Sequence, residues 1–170
     1  MQVLHDADDS SPRLDLALPD EAATRSLGAA LAAALAPGLV VYLSGDLGAG
    51  KTTLVRAALR ALGYEKTVRS PTYTLVELYA TSSLDFYHFD FYRFDRPEEY
   101  LDAGLEEYFG RSAVCLVEWP DRAQPYVPPA DLRIALRFDG PGRKAELSAP
   151  TAAGVACLKR IETPAGAPRN

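Results

Sequence analysis

The chain is 170 residues long, enough for one domain that buries a core under helices on both faces of a sheet. Its 18 Lys and Arg against 23 Asp and Glu give a formal net charge of −5, which excludes a general basic footprint for nucleic acid, so any RNA role would run through a partner. Cys115 and Cys157 lie far apart without metal-ligand spacing, the amino terminus is acidic and no apolar run is long enough to span a bilayer; together these point to a reducing cytoplasm and away from export or a membrane.

Residues 1–12 read as a tail, and Arg13–Leu18 alternates strictly, predicting a strand. Pro19-Asp20 opens a helix with Asp20 as its N-cap; Leu27, Leu31 and Leu35 recur every fourth residue, and Pro37-Gly38 ends the run. Thr24, read as lying on the exposed side of this helix, is a candidate to reach a nucleotide.

The apolar run Leu39–Ser44 predicts a strand, and Gly45-Asp46-Leu47-Gly48-Ala49-Gly50-Lys51-Thr52 fits the phosphate-loop pattern of Gly, four residues, then Gly-Lys-Thr. Thr53–Leu62 reads as the following helix, ended by Gly63. Glycines let successive backbone N–H groups turn inward around a polyphosphate, and the helix adds its positive dipole end. The nucleotide-binding set is therefore Asp46, Gly48, Ala49, Gly50, Lys51, Thr52 and Thr53, with Thr24 beside it. Lys51 supplies a cation for the outer phosphates, and the Thr52 hydroxyl is placed to ligate magnesium.

Thr67–Thr74 leads into a strand at Leu75–Tyr79, and its Ser70-Pro71-Thr72-Tyr73-Thr74 is either a hydroxyl-rich turn or a segment that senses the terminal phosphate. Leu84–Arg93 reads as a strand with His88 and Asp90 on one face, where the pair could position a water or hold a metal-bound water, or simply satisfy each other. Asp95-Arg96-Pro97-Glu98 predicts a helix running to Tyr108-Phe109, with Gly104 as a kink or break and Glu98, Glu99, Glu106 and Glu107 on a solvated face.

Ala113–Glu118 is an apolar run ending in a carboxylate, the Walker B arrangement, so Glu118 is a candidate magnesium ligand or general base. Trp119 could lie over a base or anchor packing. After an irregular 120–129, Asp131–Phe138 and Arg143–Ser148 predict an antiparallel pair at one sheet edge; 153–161 reads as a short helix and 163–170 as a tail, leaving 13–162 as one domain. The chain has no Asn-Lys-x-Asp guanine motif, which makes ATP with Mg2+ the expected ligand.

Gly45–Thr53, Ser70–Val76, His88-Phe89-Asp90-Phe91-Tyr92-Arg93 and Val117-Glu118-Trp119-Pro120 stand in the order and spacing of the bacterial TsaE (YjeE) family, which this chain resembles from about Leu14 to about Leu147. The resemblance implies an α/β fold of the three-layer P-loop type, with a mixed, mostly parallel sheet and an antiparallel edge. It further implies a partner-dependent ATPase supporting threonylcarbamoyladenosine formation in tRNA alongside TsaD and TsaB, which handle the tRNA. It assigns function to Lys51, Thr52, Asp90 and Glu118. Two other readings of the residues stay open. One is a small-molecule kinase, for which Arg93, Arg96 and Arg111 are available without a lid insertion; the other is an ATP-holding assembly switch without turnover.

Overall fold

The computed structural model describes residues 10–110 and 112–162. Two kinds of strand build its sheet. Val40–Gly45 (β2) and Val114–Glu118 (β5) are near-continuous apolar runs, the mark of strands buried on both faces; Arg13–Leu18 (β1) and Leu132–Asp139 (β6) alternate and cover the core with one side. Val76–Ala80 (β3), Asp85–Asp90 (β4) and Gly142–Ser148 (β7) complete a seven-stranded sheet of order β1-β7-β6-β2-β5-β4-β3.

The four central strands, β6, β2, β5 and β4, pair in parallel. Antiparallel pairs flank them at both ends, β6-β7-β1 on one side and β4-β3 on the other. Only β3 and β7 run against the rest, so the sheet is mixed and mostly parallel. The expected β6-β7 hairpin forms, but β1 adds to β7 and takes the edge.

Glu21–Ala34 (α1), Lys51–Ala61 (α2) and Ala152–Glu162 (α4) cover one face, burying Leu27, Leu31, Leu54, Leu59 and Leu158 against Val41, Leu43 and Ile134. Asp20 caps α1 by accepting from the Ala23 N–H at 2.9 Å. The other face carries an aromatic cluster of Phe89, Phe91, Phe94 and Tyr100. Here the chain departs from expectation. β4 stops at Asp90 where Leu84–Arg93 was predicted, and the predicted single helix to Phe109 is a four-residue α3 (Glu99–Asp102) and a 3-10 turn (Leu105–Tyr108). Gly104 separates them at φ +66°, a left-handed conformation that no helix interior tolerates. Glu98, Glu106 and Glu107 are exposed or half-exposed as expected, whereas Glu99 turns back to accept from the Asp95 and Arg96 N–H groups. Of the tail read over 1–12, residues 1–9 lie outside the described residues, as do the tail read over 163–170 and Arg111; Pro12 is held, its carbonyl accepting from the Ala149 N–H at 3.0 Å.

Candidate active site

β2 delivers the phosphate loop at its carboxyl end, and the loop runs straight into α2, which begins at Lys51, two residues earlier than the sequence pattern predicts. Gly50 occupies the N-cap at φ +105° and offers no side-chain cap, so the first turn of α2 keeps its backbone donors for an anion. Lys51 Nζ donates to the Gly45 carbonyl at 2.6 Å and lies 3.4 Å from Glu118 Oε1. Thr52 is exposed on the same first turn; Ala49 is buried, and Asp46 accepts from the Ala49 N–H through its carbonyl.

The parallel register places β4 beside β5 with Asp90 opposite Glu118, so the two carboxylates share one face of the sheet, that of α2. Both are nearly fully buried, at 6% and 5% exposure. Glu118 Oε2 meets His88 Nε2 at 3.0 Å. Burial opposes ionisation of Glu118, but the hydrogen bond and charge interaction with His88, followed by Lys51, outweigh it and hold the carboxyl below its usual range. Asp90 moves the other way. Burial pushes it up first; the Tyr92 N–H on Oδ1 at 2.9 Å pulls it down, and the Glu118 charge adds to the rise.

Asp90 also ties down the hydroxyl segment. Its Oδ2 accepts from Thr72 Oγ1 at 3.3 Å, Thr72 contacts Ser70 Oγ at 2.9 Å, and the Asp90 N–H donates to the Leu75 carbonyl at 3.0 Å. Tyr73 is exposed and carries the Arg93 guanidinium 4.0 Å over its ring. Arg96 pairs with Asp102 on the surface.

A cavity of about 440 Å³ opens beside the loop, lined among others by Gly45, Asp46, Lys51, Trp119, Arg137 and Phe138. Trp119 leaves β5 at φ +56°, an uncommon backbone state for a non-glycine residue, and its ring packs 5.1 Å from that of Tyr92. It is both a packing residue and a wall of the cavity.

Thr24 needs correction. It is buried at 3% exposure rather than on the outer side of α1, and a Cβ on Gly50 would lie 3.7 Å from its methyl group. The reason is spacing: Thr24 precedes Leu27 by three residues and Leu31 by seven, which puts it on the buried stripe despite its hydroxyl.

Sequence reasoning missed Arg143 and Phe138. Arg143 Nη2 donates to the Gly48 carbonyl at 3.1 Å, and its guanidinium sits 4.3 Å over the Phe138 ring. The two are register partners across the β6-β7 hairpin. The predicted hairpin brackets them, but nothing local shows that they fold onto the phosphate loop.

No cluster of three or more acidic, histidine or cysteine side chains suited to a metal occurs among the described residues. A magnesium site needs no such cluster, since it takes one or two protein oxygens and completes its shell with phosphate and water. Thr52 and Glu118 fit that donor set. Also among the described residues, no helix is long and apolar enough to cross a membrane.

The family model for threonylcarbamoyl adenosine biosynthesis protein TsaE matches residues 18–145. A TsaE protein of Haemophilus influenzae is 45% identical over 116 residues, covering 68% of this chain and 73% of that protein. One from Bacillus subtilis is 40% identical over 122 residues, covering 72% and 75%. The crystal structure of Bacillus subtilis YdiB superposes with a TM-score of 0.77 at 29% identity, covering 89% of this chain and 95% of that one. The fold likeness and the sequence similarity thus cover the same body of the chain, and the chain belongs to the TsaE family.

Proposed function

We propose that this protein is an ATPase of tRNA threonylcarbamoyladenosine formation, slow alone and faster when assembled with TsaD and TsaB, which bring the tRNA. The observation that carries the reading is the convergence of Lys51 from the start of α2, Glu118 from the end of β5 and, alongside it in register, Asp90 from the end of β4. Separate elements contribute a cation and two buried carboxylates at one phosphate-loop mouth, a costly arrangement unless charge is to be handled there.

In this reading the loop amides and Lys51 hold the phosphates, and Lys51 exchanges its contacts with the Gly45 carbonyl and Glu118 for phosphate oxygens. Magnesium, bound with the nucleotide, would neutralise phosphate charge, held by Thr52 and Glu118. Glu118 is kept ionised for that task. Asp90, whose proton affinity burial has raised, is the better group to take a proton from an attacking water. Its bonds to Thr72 and the Leu75 carbonyl link that step to the hydroxyl segment.

The test is ATP turnover by the full chain, alone and with TsaD, TsaB and tRNA. Stimulated release of ADP and phosphate supports the proposal. A phosphorylated metabolite made without partners would establish a kinase instead, and binding without turnover in the full assembly would establish a switch.

A further inference from the structure

We infer that His88 is a positioning residue, not a base: its Nε2–H holds Glu118 Oε2 and thereby turns Oε1 alone toward Lys51 and the phosphate cradle. The inference rests on the nucleotide reading of the site.

The two oxygens of Glu118 have different neighbours, His88 Nε2 at 3.0 Å for Oε2 and Lys51 Nζ at 3.4 Å for Oε1. An ionised carboxylate has no hydrogen to give, so the bond requires the hydrogen on Nε2. The other ring nitrogen, Nδ1, is sealed from solvent and has no partner among the described residues. The tautomer with its hydrogen on Nδ1 would therefore bury an unpaired N–H and set the Nε2 lone pair against a carboxylate, two costs at once. His88 is 3% exposed and has no free nitrogen on the solvent side, since Nε2 meets Glu118 and Nδ1 is sealed in the interior.

The sheet explains why His88 is the residue that does this. The β4-β5 register sets His88 opposite Leu116 and Asp90 opposite Glu118, so His88 lies diagonally behind the carboxylate on the same face. From there the ring reaches only the rear oxygen. A side chain with freely rotating Oε1 and Oε2 would offer either to Lys51; the His88 bond removes that choice. Partners of this kind fix a ligand's orientation without touching the ligated group.

Two measurements test this on the full chain. The first is which ring nitrogen of His88 carries hydrogen, read by nitrogen-15 NMR near neutral pH. The chain holds only His5 and His88, so the His88→Gln spectrum assigns the signal. Hydrogen on Nε2 is expected, with or without one on Nδ1; a bare Nε2 with hydrogen on Nδ1 alone would overturn the inference.

The second compares His88→Gln, which keeps an N–H donor, with His88→Leu, which fills the space without one. His88→Leu should raise the magnesium concentration that saturates the ADP complex about 10-fold or more and lower kcat similarly, while ADP affinity without magnesium changes by less than about threefold. His88→Gln should recover most of both effects. Unchanged magnesium demand in folded His88→Leu, or a folded His88→Gln no better than it, would overturn the inference. Should the unsubstituted protein show no turnover with its partners, the ATPase reading fails, while the tautomer and the magnesium titration of the ADP complex still decide the role of His88.

Discussion

Replacing Asp90 with asparagine should make the nucleotide-free protein more stable while disabling it. Asparagine can keep the Tyr92 N–H on Oδ1, and its amide can donate to Thr72 Oγ1, so both contacts of the native side chain have replacements. What disappears is a buried charge set against Glu118 across adjacent strands. Parallel neighbours stand about 5 Å apart, and two unit charges at that distance repel by about 3 kcal/mol at an effective dielectric near 20. Lys51, 3.4 Å from Glu118, cancels part of this, and weaker hydrogen bonds to a neutral acceptor return about 1 kcal/mol. The net expectation is a gain of about 1 kcal/mol, read as a melting point higher by about 2–4 °C for a chain of this size. Urea and thermal unfolding near neutral pH would measure it, with turnover of the same sample falling by about 100-fold or more. An Asp90→Asn protein about 1 kcal/mol less stable than the native one would refute the reasoning, because the charge would then be serving the fold.

The pH dependence follows from the same pair. Asp90 is raised above its usual 3.8, so the folded state binds its proton more tightly than the unfolded chain; the associated stability is present below the usual value and lost as pH rises through the raised one. The advantage of Asp90→Asn should therefore be absent in acid and grow toward neutrality; a constant gap would contradict it. Glu118 is lowered, so its contribution is present above the usual carboxylate value and lost as pH falls through the lowered one, and Glu118→Gln should show a deficit that closes in acid. Lys51→Ala should melt within a few degrees of the native protein yet lose about 10–100-fold in ADP affinity by calorimetry, the worth of one charge-assisted bond; unchanged affinity would count against the phosphate role of Lys51. Gly154→Ala should cost about 3 kcal/mol or more in urea unfolding, since its Cβ would fall 1.6 Å from the Asp131 carbonyl oxygen and force α4 off β6; native stability would contradict that packing.

Much of this architecture is legible locally. Alternation marks β1 and β6, the Asp20 cap marks the start of α1, and the phosphate loop and the Glu118 terminus of β5 announce the two halves of the site. What local pattern cannot supply is register. That Asp90 stands beside Glu118, and that His88 reaches its rear oxygen, depends on how β4 aligns with β5 across the 91–113 crossover. The same holds for Arg143 on Gly48, a contact 95 residues apart in sequence. Thr24 is a different case. Its spacing to Leu27 and Leu31 already placed it inside, where a close approach at Gly28, whose Cβ would lie 2.6 Å from that of Ala57, brings α1 down on α2. There the polar type of the residue misled and the period did not. The short α3 and its neighbouring turn escape prediction because their aromatic packing, not a helical repeat, decides the backbone between 91 and 109.

The most direct test of the central claim is calorimetric titration of the full chain with a slowly hydrolysed ATP analogue, with and without magnesium, for the native protein and Glu118→Gln. The account predicts that the native protein binds the analogue, that magnesium tightens the complex, and that Glu118→Gln binds but loses the magnesium effect. Absence of binding by the native protein, or an undiminished magnesium effect in Glu118→Gln, would contradict it.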